Sequence, residues 1–547
     1  MMNEFMGDTA GMGSVQIPFP VHNLTTEVAG DFTLPDYQPE IKRLLRIGVN
    51  LLPPNRLSGD TSEITGMMDY FVLYVGQDDG VYCAPLSTEY RMGEEANWDT
   101  AGMPAGMPTA IREPMTCICD LSYEVPVGRV TAPRRLHIRC KVKARVETYG
   151  ECPLRAEGSE EDPAAEILTA TTRVGRLYRE LGEPLALQDD VILAPADGEM
   201  RVICAEGRVM MTEAAAASGE VQCRGEVTVK LTLCPAENGF SFGDDSREPA
   251  VTPELTVLHR KIPFTHSIRI EGVTPDCTAM ACGYCTEISV LMEEGHLHVD
   301  LGIVCEVRAH RNETVSYVKD LYSTRRKGEC RYAAYPTRRA LRALNGNFTL
   351  SDSLPLSEAG IDPAARVVDV TATAIPQELV SDPGKLRSVL TGKCLCHLLL
   401  LRDGEYAAAD MELPFRYEFD DQSLLRADTA GKGDTAPSTR FDGCVTVVNC
   451  RARMDGERVG IDAELAVAIR SHMPAPFSAL TDFTHGGEIT RRRGEYVVCF
   501  PAADDTVWAV AKRYHAPMAA LAAANNLPAG VQPDGEESLE GVKYLIV

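Results

Sequence analysis

Three stretches constrain the fold of this chain more than any other feature. Residues 66–75 (GMMDYFVLYV), 225–233 (GEVTVKLTL) and 392–401 (GKCLCHLLLL) each start with a glycine and run on as an apolar, strand-like segment. Each stops at turn residues: Asp78, Asp79 and Gly80, then Glu237, Asn238 and Gly239, then Arg402, Asp403 and Gly404. The leading glycines recur about every 160 residues, room for one small domain per repeat. Next in each copy comes a strand with a proline, 84–86 (APL), 262–264 (IPF) and 413–415 (LPF). Proline has no amide hydrogen for a ladder, so this strand is expected at an edge or to begin there. A later hairpin closes each copy with 136–144 (LHIRCKVKA), 298–307 (HVDLGIVCEV) and 459–467 (VGIDAELAV). Glu294-Gly295 and Asp455-Gly456 supply the turns before the last two.

Val227, Val229, Leu231 and Leu233 alternate with Thr228, Lys230 and Thr232. That period of two predicts antiparallel strands with one buried and one wet face. The fold class expected is therefore mainly β, with three antiparallel β-sandwich- or barrel-like repeat units over 31–155, 181–325 and 350–485. Residues 1–30, rich in Met and Gly, read as a flexible N-terminal arm. Residues 156–180 and 326–349 read as linkers, with helical character over 162–180 and 335–344. Ile41, Leu44 and Leu45 have the spacing of one or two helical turns. Each copy ends in a related string, 168–172 (LTATT), 320–324 (DLYST) and 480–484 (LTDFT). Two Gly/Pro/Ala-rich insertions, 97–108 and 427–437, read as flexible loops. Gly431-Lys432-Gly433 in the second lacks the spacing of a phosphate loop.

With 547 residues and 44% hydrophobic content, the chain has enough apolar side chains for several cores. Its net charge of -25 repels phosphate backbones and anionic lipid, so nucleic acid is a poor partner and a basic protein surface a better one. Residues 1–14 lack a basic region followed by an apolar one, so no secretory signal is expected there. No run approaches the ~20 apolar residues of a membrane span. Eighteen cysteines are scattered singly or in alternation, and read as reduced core thiols of a cytosolic protein. Cys282 and Cys285 form a C-x-x-C with His296 and His298 nearby. In a regular strand the two thiols face opposite ways, so no metal is assigned. No nucleophile elbow and no zinc-protease helix motif occur. His137, His296, His298 and His397 lie in strand-like runs, and the acidic pairs 78–79 and 293–294 lie in turns. No catalytic residue, enzyme activity or cofactor is therefore assigned. Arg325, Arg326 and Lys327, and the arginines at 491–493, read as solvated linkers or as contacts for an acidic surface.

The last stretch, 494–547, has its own pattern. Residues 496–500 (YVVCF) alternate like a strand, and Asp504, Asp505 and Thr506 offer N-cap chemistry. Val507, Trp508, Val510, Ala511 and Tyr514 follow at helical spacing. Pro517 opens a second helix with Met518, Leu521 and Ala522 on one face, Asn525 and Asn526 end it, and 542–547 forms a final strand. The order βααβ and the residues DTVWAVA (505–511), Tyr514, Leu521, NNL (525–527) and GVKYLI (541–546) resemble a LysM domain. The usual glycine before Asp-Thr is Asp504 here, and the segment 533–540 is long and acidic. The resemblance implies a groove lined by Asp505, Thr506 and Val507 on one side and Leu527 and Pro528 on the other, for N-acetylglucosamine polymers or for a protein.

Residues 34–45 (LPDYQPEIKRLL), the Gly-led strands, the IPF-type strands and DLYST (320–324) resemble the SPOCS repeat. Such repeats followed by one C-terminal LysM are the layout of SipL-like spore-coat morphogenesis proteins of clostridia. That resemblance implies a non-enzymatic scaffold or adaptor in the mother-cell cytoplasm, whose LysM docks a coat-basement ATPase at the forespore surface. The alternative is a peptidoglycan-binding protein of the cell envelope.

Overall fold

The computed structural model describes residues 13–55, 63–93, 112–156, 162–193, 200–235, 254–293, 295–382, 387–420, 440–490, 497–502, 505–526, 539 and 542–547. The chain is mainly β, and its described residues form many small antiparallel sheets with two short helices near the C-terminus. Among the described residues no helix is long and apolar enough to cross a membrane. The insertions 97–108 and 427–437, the turn 237–239, Glu294, the arginines 491–493, Asp504, Leu527 and Pro528 lie outside the described residues.

The first eight strands are β1 (Ser14–Pro18), β2 (His22–Thr33), β3 (Ile41–Leu51), β4 (Ile64–Gly76), β5 (Val81–Met92), β6 (Arg112–Tyr123), β7 (Val127–Ala132) and β8 (Arg135–Pro153). β3, β4 and β5 form a meander, while β8 pairs with β1 and β2 along one edge and with β6 and β7 along the other. The two sheets share one hydrophobic cluster around Met68, Tyr70, Val72, Ile138, Cys140 and Val142.

The second group is β9 (Ala165–Leu181), β10 (Leu185–Ile192), β11 (Met200–Ala217), β12 (Glu220–Pro235), β13 (Thr256–Arg269), β14 (Thr278–Glu293) and β15 (His296–Ser323). Here β11, β12 and β13 make the meander, and the long β15 pairs with β9 and β10 on one side and β14 on the other. Their common cluster holds Val227, Val229, Leu231, Leu297, Val299 and Leu301.

The third group is β16 (Arg326–Tyr335), β17 (Arg338–Pro355), β18 (Arg366–Asp382), β19 (Arg387–Arg402), β20 (Glu405–Asp420), β21 (Arg440–Asp455), β22 (Arg458–Pro474) and β23 (Phe477–Glu488). The meander is β18, β19, β20; it faces β17, β22 and β21 through Cys394, Leu398, Leu413, Ile461 and Leu465. β16 pairs with β23 beside them. The three groups are called here the first, second and third bodies.

The three leading glycines have one physical explanation. Gly66, Gly225 and Gly392 stand opposite Tyr90, Phe264 and Phe415 on the neighbouring strand. A Cβ on any of them would come within 2.2 to 2.7 Å of that aromatic ring or its hydroxyl. The ring occupies the space a side chain would need, so glycine is the residue that fits without displacing it. Among the described residues the proline-bearing strands β5, β13 and β20 each pair on one side, so each has an open edge where a missing amide hydrogen costs no ladder bond. Asp403 and Gly404 both have positive φ (49° and 79°), the hairpin geometry that Asp-Gly favours.

Several sequence expectations fail, and they fail together. The stretch read as a flexible arm forms β1 and most of β2; residues 1–12 lie outside the described part. The helical character read into 156–180 is absent, because 165–181 is strand β9. Residues 326–349, read as a linker with a helix over 335–344, are β16 and much of β17. The helical turns at 40–45 are the start of β3. β3 pairs with its near neighbour β4, but β2, β9 and β17 are completed by closing strands more than a hundred residues on, as in Glu27↔Lys141 and Asp352↔Ile461. Local pattern carries little of that pairing. The strings at 168–172 and 320–324 are likewise not equivalents: Leu168 is paired directly with Asp320.

The expected wet face is also lost on β12. Lys230 and Thr232 are 8% and 2% exposed, because the meander backs face one another between the bodies. Arg46 of β3 pairs there with Glu206 of β11 and Asp369 of β18, and Lys230 pairs with Asp369. Burial would push Glu206 up, but the charges of Arg46, Lys230 and Arg208 reverse this and hold it at about 2. Beside this cluster Leu45, Leu73, Val81, Cys234, Leu399 and Tyr406 close the same junction with apolar contact. At the far end Ile17, Cys152, Val174, Val315, Tyr335 and Ala479 form a second junction of the three bodies.

Candidate functional site: the docked C-terminal module

The terminal segment folds as β24 (Val498–Cys499), helix α1 (Val507–Tyr514), helix α2 (Met518–Ala524) and β25 (Leu545–Ile546). β24 and β25 pair antiparallel, so the element order is βααβ. Thr506 caps α1: its hydroxyl accepts from the Ala509 amide at 3.1 Å. His515 closes the helix with φ 52°. Val507, Trp508, Val510, Ala511, Leu521, Leu539 and Leu545 make the module's core.

The core does not stop at the module. Leu168 of β9 and Tyr322 of β15 belong to the same cluster. The Trp508 indole donates to Asp320 at 2.8 Å and stands edge-on to the Tyr322 ring, centroids 4.9 Å apart. Lys512 pairs with the other oxygen of Asp320, which also accepts from the Tyr332 hydroxyl at 2.6 Å. Tyr322 donates to the Ala516 carbonyl (2.7 Å), and the His515 ring lies 2.9 Å from the Ser323 carbonyl. Burial raises the Asp320 carboxyl, but hydrogen bonds from Lys512, Tyr332 and Trp508 outweigh it and hold it below the usual aspartate value. The string DLYST is thus the seat of the terminal module.

The groove residues expected from the sequence have other duties. Asp505 is buried; its carboxylate takes both terminal nitrogens of Arg513 and the Ala502 amide, and its carbonyl accepts from Leu539. Those contacts, the Arg513 hydrogen bond first, lower its pKa. Thr506 is occupied as the cap and Val507 is 2% exposed in the core. Leu527 and Pro528 lie outside the described residues.

Sequence reading missed the other face. Val498, Phe500 and Tyr544 are 53%, 75% and 56% exposed, beside Val497 at 42%. Cys499 and Leu545, alternating with them, face the helices. The signal was present: 496–500 is apolar on both strand faces, and one face of a two-stranded sheet has no helix to cover it. Among the described residues these are exposed apolar side chains on one face of the two-stranded sheet.

The C-x-x-C splits as the strand geometry requires. Cys285 packs in the second body's core, where burial raises its pKa to about 11, and Cys282 lines a cleft between bodies. Described cysteines are free thiols, and among the described residues no three His, Cys, Asp or Glu side chains gather as a metal-ligand set. His137, His298 and His397 each pair with an aspartate across a strand: Asp31, Asp190 and Asp410.

A scan of the chain against protein-family models gave no match. Searches of the curated proteins and of the solved structures gave none either.

Proposed function

We propose that the chain is a non-enzymatic scaffold of the SipL-like type, acting in spore-coat assembly. In this reading the three bodies are β-sandwich copies of one SPOCS-like unit, and 494–547 is a LysM variant. The module docks a coat-basement ATPase at the forespore surface, in the mother-cell cytoplasm. The glycine-under-aromatic pairs at Gly66, Gly225 and Gly392 support the common origin of the three bodies.

The observation that carries the docking role is the two-faced module. Its helical side is anchored to β15 through Asp320 and Tyr322, and its strand side presents Val498, Phe500 and Tyr544 to solvent. An anchored small domain with an exposed apolar sheet face is suited to a protein partner. The groove residues weigh against sugar as ligand, since Asp505 and Thr506 already spend their side-chain acceptors inside the fold.

Co-purification from sporulating-cell lysate tests this. The full chain should recover the coat ATPase, and a Phe500→Ser, Tyr544→Ser double variant should lose most of it. Equal recovery by both, or saturable binding of chitooligosaccharide by the full chain without ATPase recovery, would overturn the reading.

A further inference from the structure

A cleft of about 210 Å³ opens where the opening and closing strands of all three bodies meet. Gln16 and Glu147 come from the first body, Arg311 and His310 from the second, and Arg338 and Arg470 from the third. Thr278, Arg173 and Asp276 lie at its exposed mouth. Nothing in the proposed docking role uses this cleft.

Its lining sets Arg173, Arg176, Arg311, Arg338 and Arg470 against the carboxylates Glu147 and Asp276; Arg176 and Arg311 also pair with Glu313, and Glu147 Oε1 is itself shut off without a hydrogen bond. Glu147 is the interior carboxylate of the lining, and Arg145, Arg338 and Arg470 lie 2.9, 3.6 and 4.0 Å from it. Arg338 and Arg470 therefore reach it beyond hydrogen-bond length. Arg470 also stands 3.8 Å from Asp120. Nε of Arg311 and Nε2 of His310 are shut off from solvent and have no hydrogen-bond partner. Buried polar groups are nearly always paired in folded proteins, so the Arg311 Nε–H, joined by neutral His310 in its Nε2–H tautomer, calls for an acceptor inside the cleft. Burial, then the charges of Arg470 and Arg308 and the nearby His472, drive the His310 pKa down to about 3. The local field is positive in a chain whose net charge is -25.

We propose that this cleft binds a small phosphate-class oxyanion, held by Arg311, Arg338, Arg470 and His310. Guanidinium groups are planar donors matched to oxyanions, and here they converge from different bodies. Donors on several sides fit a tetrahedral group with oxygens all round better than a flat carboxylate. At ~30 Å³ per water the cleft has room for several waters, or for one pyrophosphate. An anion bound there ties three bodies to one centre and stabilises their arrangement by mass action.

Calorimetric titration of the full chain with pyrophosphate, beside a thermal melt, is the test. Saturable binding with Kd of about 1 mM or tighter and a rising Tm are expected. Arg470→Gln should weaken binding about tenfold or more. Thr278→Glu places a negative charge at the exposed mouth without entering the interior, and should weaken binding even if Arg470→Gln fails to fold. Arg224→Gln, on an exposed strand position away from the cleft, should bind as the unmodified chain does. No saturable binding up to about 10 mM, equal affinity for citrate, or unchanged binding by Thr278→Glu would each overturn the proposal. ATPase recovery reads the docking role separately, so either result can fail alone.

Discussion

Asp369 lies between the meander sheets and Asp320 beneath the terminal helices, and both receive donors from another part of the chain. The Asp369 side chain is 6% exposed and sits between the side chains of Arg46 and Lys230, which are 4% and 10% exposed. Asp320 is 18% exposed and its partner Lys512 is 36% exposed. In the first case breaking a partner strands a charge away from water; in the second, water can take its place. The same chemistry thus makes a deeply buried junction among the bodies and a more solvent-accessible seat for the module.

The sharpest way to break this comparison is to remove Glu206. Glu206→Ala leaves Arg46 short of its nearest carboxylate inside the junction, and should cost about 3–5 kcal/mol by urea unfolding. A cost below that of the Asp320 variant would show that the two contacts differ less than their burial suggests. Asp320→Ala removes the acceptor of Trp508, Lys512 and Tyr332, for about 1–3 kcal/mol. Its loss should be local: amide exchange should quicken across 505–524 and hold steady in β12 and β19.

Acid should act in the same direction. The folded Asp320 pKa is lowered, so its contribution is fully present above the unfolded value of about 3.9 and is lost as pH falls through the folded one. Below about pH 4 the module should loosen in the unmodified chain, and Asp320→Ala should shrink that step to the part carried by Asp505, whose pKa is lowered by Arg513. Thr506→Ala removes only a cap and should cost about 1 kcal/mol, read by thermal unfolding of the module. Phe500→Ser is expected to stay within about 0.5 kcal/mol of the unmodified chain, since the side chain is solvent-facing. A larger loss would mean that this face is covered within the chain.

The terminal module was the most legible part of the sequence because helices are local. Thr506, the apolar spacing from Val507 to Tyr514 and the stop at Asn525 lie within a few residues of the groups they organise. The strand β12 was legible too, since Val227, Val229, Leu231 and Leu233 all point into one core. The opening strands were not, because β2, β9 and β17 are completed by partners far along the chain. The candidate site divides the same way: Thr506 could be read as a cap, while nothing local in DLYST marks Asp320 as the acceptor for Trp508.

Sequence alone determined the glycine-led strands, the alternation, the edge position of the proline strands and the helical cap chemistry. Those follow from steric and hydrogen-bonding rules that act over a few residues. Tertiary structure decided which strand opens each body, that the polar face of β12 is buried, and that the module sits on Asp320 with Phe500 and Tyr544 outward. Each of these depends on which distant surface removes a side chain from water, and an alternating strand offers two faces without saying which will be covered.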